Sequence, residues 1–318
     1  MATSFPRSSQ GVTHIANTLI VKFKGGLVRS LTAMLITSLT FASLPAMAKE
    51  ADVIPLAKTS KWDINYSDDS CQLIRTFGIG AQQVFLRLVR EQPGDSFSLE
   101  LIGHLLQTTK SEIPVELTFG LDGTPFKSKG VAMTLSNAEL PLVRFPRLRF
   151  DQATLAEQSE PIPPVTLARE TAVTAIAFKR FGGKRYRLDT GSMGPPMAAM
   201  RTCTDDLIKT WGYDPAIQSR LRQRAIPTAS PATWFHEGDF PNKAMIAGHD
   251  GLVRFRLDVD AAGIPQGCRA LYRTSPDEFT EQTCKLLIQR ARFLPALDST
   301  GRPVKSFYIN DVRWISRG

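Results

Sequence analysis

Histidine and cysteine are scarce in this chain, four of each in 318 residues, and the scarcity excludes much chemistry. His14, His104, His236 and His249 are scattered and no C-x-x-C occurs, so a tetrahedral metal site has no ligand spacing to build on. No metal and no cofactor is expected. G-x-S-x-G, H-E-x-x-H and the P-loop pattern are all missing. Also missing is any Lys/Arg run with interleaved aromatics that would track phosphates, so nucleic acid is not an expected partner despite a formal charge of +9. That excess is partly local. Residues 1–48 carry Arg7, Lys22, Lys24 and Arg29 and no acid; without them 35 basic residues face 30 acidic ones, a mildly basic surface. With 42% hydrophobic and 22% charged residues, the chain has the material for a packed core, and its length suits two ordinary domains.

Long apolar runs are likewise missing, with one exception. Ser30 to Ala48 is uncharged, with an apolar centre from Leu31 to Leu44, then Pro45 and the small residues Ala46 and Ala48 around Met47. A basic stretch, a short apolar stretch and an A-x-A site are the layout of a secretory signal, expected to be cut after Ala48. The competing reading is an uncleaved anchor: 19 uncharged residues just span a bilayer, although Ser, Thr and Pro interrupt them. Membrane contact is expected only in that second case.

Export gives the cysteines a meaning. Cys71, Cys203, Cys268 and Cys284 all follow the signal, and an even count in an oxidising compartment favours disulfides. Three pairings exist; the close spacing of Cys268 and Cys284 favours that pair and leaves Cys71 for Cys203. Closing a loop of about 16 residues is worth roughly 3 kcal/mol in the chain-entropy model, and the longer loop somewhat more.

Along the chain, 49–60 reads as a leader and 49–225 as a β-rich domain. Short apolar runs at 83–90, 96–102, 114–119 and 172–178 are bounded by turn residues, and in the first Val84, Leu86 and Leu88 alternate with Phe85, Arg87 and Val89. A Pro-containing loop is expected at 157–165. Met197, Met200, Cys203, Leu207 and Trp211 then recur at helical spacing, with Gly212 as a C-cap. A Cys71–Cys203 bond would staple that helix to the sheet. A second short helix is expected at 215–224, and a Pro-bounded linker at 226–233.

The second domain, 234–318, opens with a short helix at 242–247. In residues 251–259 Val253, Phe255, Leu257 and Val259 share one face while Arg254, Arg256 and Asp258 share the other. Asp260 to Gly263 is a hairpin turn and 266–273 the return strand. Ser275 is placed to N-cap a helix with Pro276 at its first position; Phe279, Thr283, Leu286 and Leu287 share its inner face, and Lys285, Arg290 and Arg292 gather toward its end. The last strand, 302–315, slips its alternation between Ile309 and Val312, which predicts a bulge near Asn310-Asp311. The fold class is α+β: a β-rich domain with a closing helix, then a helix, hairpin, helix, strand module.

This second module resembles the C-terminal domain of the TonB family. The matching stretches are Phe240-Pro241, GLVRFRLDVDAAGIPQGCRALYRTS (251–275), Phe279, Cys284 and ARFLPALDSTGRPV (291–304), completed by the strand ending at Trp314. Arg292-Phe293-Leu294-Pro295-Ala296 with Asp298, Gly301 and Pro303-Val304 is the most specific part, and the likeness covers about 80 residues. It implies a periplasmic module that docks on outer-membrane transporters by accepting a short peptide as an added strand. The residues expected to carry this are Phe307, Tyr308, Ile309, Val312, Arg313 and Trp314, with Arg292 and Phe293 in support; for Phe293 and Trp314 a core role has the stronger claim. The family's energy transducer also needs an uncleaved anchor and a long Pro-rich rod. Here a globular domain replaces the rod, which puts motor coupling in doubt and leaves partner binding.

Two other classes compete. Asp189-Thr190-Gly191-Ser192 after a strand at 184–188 is the aspartic-protease fingerprint, but the mechanism needs a second such Asp and none occurs. A Gly-containing turn in which Ser192 bonds nearby backbone explains it more simply, and the chain is not expected to be an enzyme. The other class is a structural envelope protein that pairs its last strand with a second copy as a homodimer. The expected location is the periplasm or, if the anchor persists, the inner membrane facing it.

Overall fold

The computed structural model describes residues 53–135, 139–152, 163–180, 183–273 and 277–316. The signal segment with Ala46 and Ala48, most of the loop at 157–165, and Ser275 with Pro276 lie outside the described residues. The described residues all belong to one compact unit, Lys49–Gly318. The fold is mixed α+β, as the sequence pattern requires.

The first part supplies strands β1 (Val53–Leu56), β2 (Asp63–Tyr66), β3 (Cys71–Phe77), β4 (Val84–Arg90), β5 (Phe97–Ile102), β6 (Glu112–Phe119), β7 (Phe126–Leu135) and β8 (Leu140–Leu148). Helix α1 (Leu167–Ala172), strands β9 (Ile176–Arg180) and β10 (Arg185–Leu188), and helices α2 (Gly194–Thr210) and α3 (Pro215–Gln218) follow. The strands form one sheet in the order β1-β10-β9-β6-β7-β8-β5-β4-β3-β2. Its ends meet: just past β1, Ala57 O accepts from Gly78 N, Thr59 N donates to Thr76 O, and Lys58 bridges Phe77. The sheet therefore closes on itself into a barrel, with β2 appended beside β3.

Period-two alternation decides what enters the barrel. Leu73, Phe77, Val84, Leu86 and Leu88 are buried, as are Leu99, Leu117, Phe119 and Phe145. Helix α2 lays Met197, Met200, Cys203 and Leu207 into the same cluster, and Cys203 bonds Cys71 of β3. The run at 172–178 is not one strand. Thr166 Oγ1 accepts from Arg169 N and starts α1, which ends at Ala172, so β9 begins only at Ile176. The cap outweighs the apolar run that continues beyond the helix.

The second part carries β11 (Ile226–Pro227), α4 (Asn242–Ile246), β12 (Gly251–Val259), β13 (Pro265–Arg273), α5 (Glu278–Arg290), β14 (Phe293–Leu294), β15 (Ala296–Leu297), β16 (Pro303–Val304) and β17 (Ser306–Trp314). β12 is the centre of a three-stranded sheet, β13-β12-β17. Helix α5 buries Phe279, Thr283, Leu286 and Leu287, and Cys284 bonds Cys268 of β13. Each fully buried Leu or Phe there contributes roughly 1.5–3 kcal/mol. The turn after β12 needs glycine: Gly263 has φ +83, and a Cβ there would meet Phe293 O at 1.9 Å. That approach lets Gly263 O accept from Phe293 N at 3.0 Å, tying the hairpin tip to β14. Residues 226–227 are strand β11, paired with β14, and Trp234 at the end of the next turn is buried in the second core.

The bulge predicted near Asn310-Asp311 is absent. β12 and β17 run through nine consecutive pairs from Gly251↔Trp314 to Val259↔Ser306, and the register shifts fall between β12 and β13 instead. The broken alternation has a different cause: β17 is packed on both faces. Tyr308, Val312 and Trp314 join the α5 core, while Phe307 and Ile309 pack with Ile208, Tyr213 and Trp211 of the first part.

Candidate functional site

Hydropathy assigns the charged face of β12 to solvent, yet this face is the contact between the two sheets. Arg254 and Arg256 are each 7% exposed. Arg254 Nε donates to Glu91 Oε1 (2.8 Å) and Nη1 to Asp311 Oδ2 (2.9 Å), and Glu91 also pairs with Arg144, which pairs with Glu100. Burial works against the Arg254 charge, but Glu91 and Asp311 outweigh it and hold its pKa above the ordinary value. Arg256 lies over the Trp211 ring at 4.0 Å, a desolvated cation–π contact worth about 2 kcal/mol. The single hydroxyl proton of Tyr213 is shared between Asp258 Oδ1 (2.8 Å) and Ser306 O (3.0 Å). Burial first, then Asp258, raises the Tyr213 pKa. At the rim Arg313 donates to Glu112 Oε1 (2.7 Å), both side chains well exposed.

With one face on α5 and the other on the barrel, the sheet offers its edges. β13 exposes Arg269 and Arg273, paired with Asp69 and Asp277, and begins at Pro265, devices that discourage strand pairing. β17 differs: among the described residues it pairs with β12 alone, and an antiparallel edge strand turns alternate N–H and C=O groups outward. Its start is held by α3 and its approach. Gln218 Nε2 donates to Lys305 O, Ser306 Oγ to Gln218 Oε1, and Lys305 Nζ to Gly212 O. Its second half borders an open groove of about 410 Å³, lined by Trp234, Phe235, Phe255, Val312 and Trp314 with Pro231 and Ala232 on the far wall. Asn310 lies over this stretch, its Oδ1 accepting from Asp311 N (3.0 Å) and its Nδ2 donating to the Tyr308 hydroxyl (2.7 Å).

The β17 residues expected to bind a partner thus fall into three groups. Phe307 (3% exposed) and Trp314 (6%) are buried, the first against the barrel side, the second between Phe235, Phe240 and Phe279 with its Nε1 on Thr283. Tyr308 and Ile309 are half-buried, Tyr308 against Trp234, Phe255 and Phe293. Val312 and Arg313 both border the groove, but the Arg313 guanidinium turns away from it to Glu112. Arg292 is exposed and lies away from the groove; its carbonyl accepts from Thr228 N beside β11. Phe293 is a core residue. The groove wall at 231–235 was not singled out by sequence; its only signal was Trp234 and Phe235 just after a Pro-bounded stretch.

At the aspartic-protease-like motif, Asp189 pairs with Arg187 (2.8 Å), Gly191 takes φ +65, and Ser192 Oγ accepts from Gly194 N (3.4 Å). Arg75 Nη1 donates to Thr190 O (2.7 Å), so the turn is fastened to β3. Among the described residues no helix is long and apolar enough to cross a membrane.

Residues 237–315 match the family model described as Gram-negative bacterial TonB protein C-terminal. This stretch holds α4, the three-stranded sheet and α5, and it is consistent with a TonB-family C-terminal domain. No curated protein and no solved structure matches the chain at a significant level.

Proposed function

We propose that this chain is a periplasmic binding protein, not an enzyme, that captures an extended segment of a partner as an extra strand along β17. The partner class that the TonB-like module favours is a TonB-dependent outer-membrane transporter or another envelope protein. The observation that carries the reading is the contrast between the two edges of the small sheet. One is guarded by paired arginines; the other is open beside an apolar groove. Main-chain hydrogen bonds would supply affinity and alternate side chains selectivity. The half of β17 beyond Tyr308, about Ile309 to Trp314, spans roughly 20 Å at about 3.4 Å per residue, room for a short segment.

Ala232 is exposed on the groove wall, so a photo-crosslinking amino acid there would sample the bound partner in cells. The expected product is an adduct with an outer-membrane protein. An adduct with a second copy alone, matched by a concentration-dependent mass, would replace transporter docking with self-association. N-terminal sequencing of the fractionated protein tests the location: a start at Lys49 in the soluble periplasm is expected, and an intact N-terminus in the inner membrane would restore an anchored transducer.

A further inference from the structure

We propose that the β17 edge also reads sequence, selecting a segment in which a large apolar side chain is flanked on its two sides by side chains of opposite charge. This rests on the strand-addition reading above and adds the chemistry of its occupant.

The argument starts from what closes the edge and what leaves it open. Lys305 and Ser306 are bonded to Gly212 and Gln218, which leaves the second half of β17 as the accepting stretch. There Val312 faces the groove side, while Asp311 and Arg313, its neighbours, face the barrel side. A strand laid against β17 alternates in the same way. When its residue beside Val312 enters the groove, the residues on either side of it come next to Asp311 and Arg313.

The groove selects an apolar group. Trp234, Phe235, Phe255, Val312 and Trp314 line it, and burying a Leu-sized side chain is worth enough to change affinity by about tenfold or more. Its outer wall, Pro231 to Phe235, precedes the stretch matching the TonB family model, which begins at residue 237. One wall of the anchor pocket is thus supplied by this chain's own connecting segment, and the rest by β12 and β17.

The other face selects by charge complementarity. Arg313 pairs with exposed Glu112, a rim pair that exchanges readily; an acidic side chain on the added strand can share its guanidinium. Asp311 presents a carboxylate, one third exposed and oriented by Arg254, to a basic side chain on the added strand. Opposite charges across adjacent strands are favourable and like charges unfavourable. The surface is continuous with an interface already present. Arg313 reaches from the edge strand to Glu112 at the start of β6, so the barrel borders this end of the edge.

The test is fluorescence anisotropy on the full chain with labelled peptides that share Thr-Val flanks and differ only at the centre: Lys-Leu-Glu, Glu-Leu-Lys, Lys-Leu-Lys, Glu-Leu-Glu and Lys-Ala-Glu. One of the two mixed-charge leucine peptides, whichever matches the strand direction, should bind about threefold or more tighter than either like-charged one. Replacing its leucine by alanine should cost about tenfold. Arg313→Glu should shift preference to Lys-Leu-Lys, and Ala232→Trp, which fills the groove, should erase the leucine advantage; circular dichroism checks that both variants fold. Equal binding of all five peptides overturns the sequence reading while leaving strand addition intact. No binding of any peptide at millimolar concentration overturns the acceptor role of β17 itself.

Discussion

Among the described residues, nothing receives the guanidinium that Arg90 brings into the barrel. Arg90 is 1% exposed, and none of its three nitrogens has a hydrogen-bond partner among the described residues. Burial pushes its pKa down to about 10, against the pull of Asp95 and Glu170 and with a push from Arg201. An unpaired buried charge is among the costlier features a core can hold. Arg90→Met, similar in length and apolar, is therefore expected to stabilise the protein by about 1–3 kcal/mol in urea unfolding; a loss of stability would mean that the guanidinium has a partner in solution. Asp298 is the opposite case, a half-buried carboxylate with many donors. Thr300 Oγ1 and Arg302 N, then Thr300 N and the Arg302 side chain, bring its pKa from 3.8 to about 2. A carboxylate whose folded pKa is depressed adds stability above its unfolded pKa and loses it as pH falls through the folded one. The stability difference between wild type and Asp298→Asn should be constant above pH 4 and vanish between pH 3.8 and about 2. A difference unchanged across that window would separate the turn from the charge.

At the scale of elements, the mounting of β17 decides whether its edge can serve. The end of α2 and the start of α3 hold it. Trp211 meets Phe307 edge-on at 5.5 Å, stacks under Arg256, and donates its Nε1 to Asp68 O. Trp211→Ala should cost about 3–5 kcal/mol, the range for truncating a large aromatic in a packed contact, and should speed hydrogen exchange along β17 before it affects β12. Tyr213→Phe removes a single hydroxyl with two acceptors, Asp258 and Ser306, and should cost about 1–3 kcal/mol. Uniform exchange along β12 and β17 in both variants would disprove the mounting role. These elements also show how far the sequence could be read. β12, the inner face of α5 and the α2 stripe follow from periodicity, and the observed Cys71–Cys203 and Cys268–Cys284 bonds are those that spacing favours. The contact around Arg254 and Arg256 was hidden because a face of arginine and aspartate looks like a solvated one. Its burial depends on Glu91, more than 160 residues away in the chain.

At the scale of the whole molecule, the small sheet is embedded in the larger unit. Phe307 and Ile309 pack on Ile208 and Tyr213, and the Glu91 network joins the sheets. Residues 49–318 should unfold in one cooperative transition. The fragment 234–318, which returns Phe307 and Ile309 to water, should melt about 10 °C or more lower, since each kcal/mol is worth about 4–8 °C in a domain of that size. Two separate transitions in the whole chain would contradict this. The closure of the barrel was not legible, because β1 pairs in parallel with β10 across more than 130 residues, and no local pattern encodes such a pairing. The groove was only half legible: β17 reads as a strand despite its broken alternation, whereas its far wall comes from a stretch that reads as linker.

Barrel closure also limits assembly. A protein that can both give and receive a strand at complementary edges can grow into a fibre, each copy templating the next. Here β1 is sealed onto β3, β2 is four residues long, and β13 is guarded by charge. Among the described residues that leaves β17 as the long edge without such a guard, so two copies that pair along it stop at a pair. Such a molecule can wait at high concentration in a crowded compartment with its acceptor edge uncovered.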